Sequence, residues 1–382
     1  MQRKLITLYL LISISKISVA QDMPYARKIV DTLTSPYFWG RGYTNQGMEK
    51  TAAYLASQYS VFGLHPLGAK NFLQKFSYTV NSFPDAMEVS INGTKLMAGN
   101  EFIVSPESMG RKGKGLLLKK DSLTYIDTAN KVALFLKDKL TWSVAQENTV
   151  DLIILADKKA INGDPSFIEF NVVSKLVSFE ANNICGFVKG FRQPDSVILI
   201  SAHYDHLGGM GKDVYFPGAN DNASGISLLL GLAKYYAANP QPYSIAFIAF
   251  AGEEAGLLGS KYFTENPLIP LSNIRFLINV DMVGTGEEGI TIVNATQNPK
   301  EYSILTQLNF VDRYLSKINS RGKAANSDHY WFAEKGVPAF FIYTLGGVKS
   351  YHDVFDVSNT LPLNEYEDVF KLILKFNDRL ME

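Results

Sequence analysis

Apolar residues between positions 22 and 67 recur at the three- and four-residue spacing of amphipathic helices. The two repeating faces consist of Ala26, Ile29, Val30 and Leu33 in a first segment and Met48, Ala52, Leu55 and Tyr59 in a second. A glycine-rich turn at residues 40–47 separates the two segments. The pattern therefore predicts two helices that each bury one face.

From about Phe72 the spacing becomes that of β-structure. Asn92-Gly93, flanked by apolar residues on both sides, is a strong signal for a two-residue hairpin. Further strands are predicted at residues 131–135 and 150–155. We predict a β-rich accessory segment over residues 73–180. This segment contains no histidine, so we do not expect it to supply a histidine ligand to a metal.

After Cys185, predicted strands and helices alternate. The strands cover residues 196–201, 243–251, 275–280 and 337–343, and the helices cover residues 223–236, 255–263 and 364–380. Such alternation predicts an α/β fold, with a mixed, mostly parallel central sheet flanked by helices. We assign residues 181–382 to the main part of the larger domain and residues 21–72 to its N-terminal helical part.

The composition narrows the class of partner. The chain has 382 residues, of which 46% are hydrophobic and 19% are charged, enough for one large domain or two ordinary ones. Lysine and arginine number 37 and aspartate and glutamate also number 37, so no overall field favours a nucleic acid or an anionic membrane. A small substrate or a peptide fits this balance better.

Residues 1–20 have the pattern of an export signal. A basic start, an apolar stretch from Leu5 to Ile14 and the small residues around Ala20 predict cleavage before Gln21. The alternative is an N-terminal membrane anchor, but the apolar stretch is shorter than the roughly 20 residues of a spanning helix. We expect a periplasmic or extracellular protein that keeps no integral membrane segment after the signal is removed.

Cys185 is the one cysteine of the chain, so an intramolecular disulfide is excluded. Its neighbours Ile184 and Phe187 are apolar and offer no base. We therefore expect a buried, inert thiol rather than a nucleophile.

Five polar clusters follow the predicted strands or lie in loops. They are Ala202-His203-Tyr204-Asp205-His206, Asn220-Asp221-Asn222-Ala223-Ser224-Gly225, Gly252-Glu253-Glu254, Asn279-Val280-Asp281-Met282 and Tyr351-His352-Asp353. In open α/β sheets, ligands gather outside the carboxyl ends of the strands. The clusters combine histidines and carboxylates without a thiolate, a donor set that suits zinc. Taken alone, Glu253-Glu254 would indicate an exposed acidic turn, and only the five clusters together favour a metal site.

The order of these motifs resembles that of the co-catalytic di-zinc aminopeptidases. This family of exported exopeptidases is related to bacterial leucyl aminopeptidases, glutamate carboxypeptidases and glutaminyl cyclases. The resemblance covers residues 182–356, and residues 27–68 also look similar. It implies two zinc ions per chain, with Glu253 as general base and Asp205 as the carboxylate that orients a zinc histidine. The implied ligands are His203 and Asp281 on one zinc, Glu254 and His352 on the other, and Asp221 between them.

Neighbouring polar residues have structural alternatives. We expect His206 to form a structural hydrogen bond rather than bind metal, and Asp205 has the alternative role of a turn or helix cap. Asp328 and His329 are expected to support the structure, with contact to substrate as the alternative for either residue. Asp356 resembles an acidic residue of the family's closing loop, with a turn cap as an equal alternative.

The resemblance implies hydrolysis of the N-terminal bond of a peptide substrate with a free N-terminus. The water would be activated by two zinc ions, and Glu253 would move the protons. A glutaminyl cyclase and a dipeptidase or carboxypeptidase of the same fold remain open as alternatives. A non-enzymatic binding protein on a peptidase fold is disfavoured, because all five ligand positions and the base are present.

Overall fold

The computed structural model of the chain describes residues 22–68 and 70–382. The predicted export signal at residues 1–20 lies outside the described residues. Within them, the α-helices are α1 (Met23–Leu33), α2 (Gly47–Phe62), α3 (Gly225–Ala238), α4 (Leu258–Glu265), α5 (Pro299–Asp312), α6 (His329–Glu334) and α7 (Tyr366–Leu380).

The described residues form three β-sheets. The strands before the main sheet's parallel core are β1 (His65–Pro66), β2 (Leu73–Ser82), β3 (Met87–Ile91), β4 (Thr94–Lys95), β5 (Phe102–Val104), β6 (Lys112–Leu116), β7 (Leu118–Lys119), β8 (Thr124–Asp127), β9 (Val132–Lys137), β10 (Leu152–Asp157), β11 (Phe167–Val172) and β12 (Lys175–Val188). The later strands are β13 (Gln193–His203), β14 (Tyr243–Phe250), β15 (Ile274–Val280), β16 (Ile290–Val293), β17 (Ile318–Ser320) and β18 (Ala339–Thr344).

The central sheet has nine strands in the order β1-β12-β14-β13-β15-β18-β16-β17, with β2 paired to β12. Its four middle strands, β14, β13, β15 and β18, are parallel, and β12 and β16 pair with them in the antiparallel sense. The predicted mixed α/β fold is confirmed. Because the middle strands are parallel, their carboxyl ends meet at one edge of the sheet.

Side chains of β13 alternate between two hydrophobic layers, as the period of two in a strand requires. Ile198 and Ile200 belong to the cluster that includes the apolar faces of α1, α2, α3 and α7. Val197 and Leu199 belong to the cluster with Phe263 of α4 and Phe332 of α6. Helices thus cover both faces of the sheet, and the strand ends are left for the polar clusters.

The helical predictions at the start of the chain are confirmed. Helix α1 begins after Asp22, whose side chain accepts a hydrogen bond of 3.0 Å from the backbone N–H of Tyr25. The predicted apolar faces of α1 and α2 are buried. Helix α5 was not predicted, because Leu305 is its one buried residue and an apolar stripe is therefore missing.

Residues between β2 and β12 form two small sheets, in the orders β5-β10-β9-β8-β7 and β4-β3-β11-β6. The predicted hairpin is present, with Ile91 opposite Thr94. The core of this region also takes in Leu207, Met210 and Phe216 from the larger unit. The accessory region therefore packs directly on the segment that follows His206. The division at residues 73–180 stays a prediction.

None of the helices in the described part of the chain combines the length and the apolar character needed to cross a membrane.

Candidate metal centre

Two of the predicted ligands stand at the ends of neighbouring parallel strands. His203 is the last residue of β13, and Asp281 directly follows β15. His203 Nε2 lies 3.3 Å from Asp281 Oδ1 and 3.4 Å from Asp221 Oδ1. We call His203, Asp281 and this oxygen of Asp221 the first half-site.

The other two predicted ligands stand on loops. Glu254 lies in the turn after β14, and His352 lies in the loop after β18. His352 Nε2 is 3.1 Å from Glu254 Oε2 and 3.2 Å from Asp221 Oδ2. We call Glu254, His352 and this second oxygen of Asp221 the second half-site.

Asp221 faces both half-sites, each with a different oxygen. Ligand atoms at neighbouring corners of a tetrahedron with zinc bonds of about 2.0 Å lie about 3.3 Å apart. The four separations of 3.1–3.4 Å match that edge. In addition, Asp281 Oδ1 is buried without a hydrogen-bond partner among the described residues. The residues therefore fit a pair of zinc ions that share one carboxylate.

The charge balance leads to the same conclusion. Burial alone lowers the pKa of His203, but the carboxylates of Asp281 and Glu253 raise it well above its usual value. Likewise, the carboxylates of Glu254 and Asp221 outweigh burial and raise the pKa of His352 to about 11. A buried cluster with more carboxylates than histidines carries excess negative charge, which a bound cation would offset.

The turn that carries Asp221 is held from two sides. Arg41 is fully buried and donates hydrogen bonds to the backbone carbonyls of Pro217 (2.6 Å), Gly218 (2.8 Å) and Asp221 (3.0 Å). The carboxylate of Asp356 accepts the backbone N–H of Asp221 at 3.0 Å and that of the preceding residue at 2.9 Å. Asp356 is thus a turn cap, one of its two predicted alternatives.

Side chains around Asp221 join its turn to the end of β15. Asn222 Nδ2 donates to the carbonyl of Val280 (3.1 Å), and its Oδ1 accepts the N–H of Gly225 (2.9 Å) at the start of α3. Ser224 Oγ accepts the N–H of Val283 at 2.9 Å. The peptide bond between Asp221 and Asn222 is cis. These contacts fix Asp221 relative to Asp281.

The turn that carries Glu253 and Glu254 rests on Asp205. Gly252 begins the turn at φ 70°, a conformation that favours glycine. The fully buried carboxylate of Asp205 accepts the backbone N–H of Glu253 (3.2 Å) and of Glu254 (3.3 Å). His206 Nδ1 lies 2.7 Å from Glu254 Oε1, which is the structural hydrogen bond expected for it.

Glu253 and Glu254 have opposite electrostatic environments. Burial and the nearby carboxylates of Glu254, Asp328 and Asp281 raise the pKa of Glu253 well above its usual value. Burial also acts to raise that of Glu254, but His352 and His206 lower its pKa to about 2. Ligand atoms of Glu253, His203 and Asp281 lie within 4.8 Å of one another, so Glu253 borders the first half-site.

Backbone carbonyls face the second ring nitrogen of both ligand histidines. His203 Nδ1 lies 3.1 Å from the carbonyl oxygen of Asp205 and 3.9 Å from the carboxylate of the same residue. The structure thus gives the orienting contact to the Asp205 backbone, whereas the prediction gave it to the side chain. His352 Nδ1 lies 2.9 Å from the carbonyl oxygen of Trp142.

A chain of hydrogen bonds supports Asp281 from beneath the site. Ser201 Oγ donates to Asn279 Oδ1 (2.8 Å), Asn279 Nδ2 donates to Ser327 Oγ (2.8 Å), and Ser327 Oγ donates to Asp281 Oδ2 (3.3 Å). Asp328, the next residue, is fully buried, and burial raises its pKa to about 7.

Two contributors were missed by sequence reasoning. Arg41 stands between Gly40 and Gly42, and an arginine enclosed by glycines near a buried turn was the available signal. Trp142 contributes a backbone carbonyl, an atom that every residue type has, so no sequence signal marked it.

The chain is similar to known proteins in both sequence and structure. The model of peptidase family M28 matches residues 183–377. Aminopeptidase YwaD of Bacillus subtilis is 29% identical over 247 residues, which cover 59% of this chain and 52% of that protein. A probable zinc metalloprotease of Pyricularia oryzae is 36% identical over 123 residues, covering 31% of this chain and 24% of the relative. The chain thus aligns with about half or less of these curated relatives.

Among solved structures, a zinc aminopeptidase from Bacillus subtilis superposes with a TM-score of 0.67 at 18% identity. The superposition covers 94% of this chain and 95% of that one, including the region outside the family match. The two proteins share the fold over nearly their whole lengths.

Proposed function

The chain belongs to peptidase family M28, and from this membership we propose that it is a zinc aminopeptidase that hydrolyses the N-terminal peptide bond of peptides. From the pattern of residues 1–20 we propose that it is exported. The relatives support the aminopeptidase assignment, since one is named an aminopeptidase and another a probable zinc metalloprotease. The observation that carries the proposal is the pair of half-sites joined by Asp221.

In this proposal His203, Asp281 and Asp221 would hold one zinc ion, and Glu254, His352 and Asp221 would hold another. When bound, such ions would supply a Lewis acid for the scissile carbonyl and would lower the pKa of a water molecule.

Glu253 is the general base. It lies within 4.8 Å of the ligand atoms of His203 and Asp281 and is the carboxylate there that neither half-site uses, so it can exchange a proton with a water beside the first half-site. It accepts a proton from water as the carbonyl is attacked and then donates a proton to the leaving amine. Asp205 holds the backbone of Glu253 and Glu254 in place, so it acts as a positioning residue.

Export is proposed from the signal pattern of residues 1–20. The mass of the mature protein, recovered from its natural host, tests it: a chain that starts at Gln21 supports export. A chain that retains residues 1–20 would support the membrane anchor instead.

Zinc analysis and a substrate panel test the activity. We expect about two zinc ions per chain and cleavage of aminoacyl amides and unblocked peptides. Dialysis against a chelator should remove the zinc and abolish the cleavage. One zinc ion with pyroglutamate formation from glutaminyl peptides would indicate a cyclase. Cleavage of N-terminally blocked peptides would indicate a carboxypeptidase, and zinc without turnover of any substrate would indicate a binding protein.

A further inference from the structure

The loop between β9 and β10 leaves the accessory sheets and reaches the second half-site. We call its residues 139–146 the accessory strap. Its central residue, Trp142, makes two backbone contacts with His352. The Trp142 N–H donates to the His352 carbonyl at 2.9 Å, and His352 Nδ1 lies 2.9 Å from the Trp142 carbonyl oxygen.

The second contact fixes which ring nitrogen carries a proton. A carbonyl oxygen only accepts hydrogen bonds, so Nδ1 must be protonated. When the ring is neutral, as a metal ligand must be, Nε2 is left with its lone pair toward Asp221 and Glu254, the side on which a metal would bind. Partners of this kind orient a metal-binding histidine and set its basicity.

The backbone of His352 also needs external support. Its φ is 53°, in the left-handed region that residues with a side chain seldom adopt. His352 lies in a loop after β18, outside any strand, so the sheet does not impose this conformation. The reciprocal hydrogen bonds with Trp142 hold both the backbone and the ring.

Trp142 is itself fixed to the accessory core. Its indole Nε1 donates to the carbonyl of Val104 at 2.7 Å. Its ring stacks on Phe216 with centroids 4.7 Å apart and packs against Phe83 at 5.9 Å. The indole ring of Trp142 is therefore fixed by contacts outside the loop of His352.

The accessory strap reaches both loops of the second half-site. Lys139 Nζ contacts the carboxylate of Asp353 (3.3 Å) and donates to the carbonyl of Lys349 (2.9 Å). Gln146 Nε2 donates to the carbonyl of Ala255 at 2.8 Å, next to Glu254. The loop with His352 and the turn with Glu254 are thus tied to the same short segment.

We propose that Trp142 is a positioning residue for His352, and that the accessory strap sets the geometry of the second half-site. The inference rests on the proposed function, because it assumes that His352 binds zinc. It gives the β-rich accessory region a part in assembling the centre, although that region supplies no histidine of its own.

The test compares Trp142→Ala with Phe170→Ala. Phe170 is an equally aromatic and buried residue of the accessory core, on β11, whose residues make no hydrogen bond with the accessory strap among the described residues. In Trp142→Ala we expect one of two zinc ions to be released to a chelator roughly 10–100 times faster, with the other unchanged. Phe170→Ala should release both ions at wild-type rates.

A wild-type chain that holds no zinc would overturn the proposed function and this inference with it. A wild-type chain with two ions, combined with wild-type release from Trp142→Ala, would overturn the inference alone. Equally accelerated zinc release from both variants would also overturn the inference alone, since it would indicate general loosening of the accessory core.

If Trp142→Ala does not yield folded protein by circular dichroism, Trp142→Phe takes its place. This variant keeps an aromatic ring against Phe216 but loses the hydrogen bond to Val104. We expect a smaller acceleration of the same ion. Release of both ions at wild-type rates from this variant would overturn the inference.

Discussion

His203 and Asp281 stand on neighbouring strands of the central sheet, whereas Glu254 and His352 stand on loops. The two strands pair in register from Ile198 with Phe276 to Ser201 with Asn279, so the ladder fixes the backbones that lead to His203 and Asp281. The second half-site has no such ladder. The His352 side chain is 12% exposed and that of His203 only 1%.

The second half-site is positioned by residues from distant parts of the chain. His206 contacts Glu254, Asp205 holds the Glu254 backbone, and Trp142 holds His352. A ligand at a strand end inherits its position from the sheet, but a ligand on a loop depends on every contact that replaces the sheet. The second half-site should therefore be the more sensitive of the two to substitutions around it.

The largest effect is expected where the two half-sites meet. Asp221→Asn weakens a ligand of both, so we predict that both zinc ions are lost and that kcat/KM falls by more than the roughly 10–100-fold typical of an outer partner. Zinc per chain and hydrolysis of an aminoacyl amide measure this. Asp312→Asn, which removes a surface charge paired with Lys375, is the control and should retain both the zinc ions and the hydrolytic activity. Loss of a single ion from Asp221→Asn would contradict a shared ligand.

Glu253 and Glu254 should fail in different ways. Glu253→Ala is predicted to keep both ions while kcat falls by roughly 10²–10⁴, the usual contribution of a general base. Glu254→Ala should lose the zinc of the second half-site and keep that of the first. Elemental analysis beside single-turnover rates separates the two. A Glu253→Ala enzyme with wild-type kcat would remove Glu253 from the mechanism.

Arg41 should affect both half-sites equally, because it holds the turn of their shared ligand. Arg41→Met removes a donor from five buried carbonyls, including those of Tyr204 and Leu33, and of the five that of Gly218 keeps the N–H of Ala223 at 3.2 Å. We predict a decrease in the free energy of unfolding of roughly 3–5 kcal/mol, measured by urea titration of the zinc-free protein.

Arg27→Met is the matched control for Arg41→Met. Arg27 also donates to backbone carbonyls, those of Ser358 and Leu361, but it is partly exposed, and these carbonyls follow His352 by six residues or more. We expect a decrease of about 1 kcal/mol and unchanged zinc content. Unequal loss of the two ions from Arg41→Met would show that Arg41 serves one half-site only.

The same contrast explains how much of the molecule the sequence could predict. Apolar runs such as residues 196–201 are local signals, so the strands could be placed, and residues that follow a strand, such as His203 and Asp281, could be placed with them. Trp142 is 210 residues before His352 and acts through its backbone carbonyl, so no local pattern could join the two. Arg41 likewise binds carbonyls rather than a carboxylate, and charge pairing gave no indication of its partners.

Local sequence patterns could not predict the length of β12 either. Its residues 175–184 pair with β2, and from Ile184 onward it pairs with β14 of the central sheet. The first part alternates exposed and buried positions while the second is almost continuously buried. One strand thus changes its environment midway, and the period of two is interrupted where the environment changes.

The two smallest predicted effects, one at each half-site, test most directly the contrast between ligands at strand ends and ligands on loops. His206→Phe keeps a ring of similar size but removes the Nδ1 contact with Glu254, and we predict that the zinc of the second half-site is released roughly tenfold faster. Ser327→Ala removes the hydrogen bond to Asp281. Here we predict about a fivefold change for the first half-site, the equivalent of about 1 kcal/mol.

The difference between these two variants follows from the backbone. Asp281 keeps its N–H bonded to the carbonyl of Ile342 at 3.1 Å, so the sheet still holds it when Ser327 is shortened. Glu254 lies in a turn, where its backbone N–H donates to the Asp205 side chain rather than to a neighbouring strand. In His206→Phe its carboxylate also loses its nearest hydrogen-bond partner. Chelator release measured in parallel gives the ratio of the two effects. A larger effect from Ser327→Ala than from His206→Phe would mean that strand-end ligands are no better held than loop ligands, and the explanation offered for the accessory strap would lose its premise.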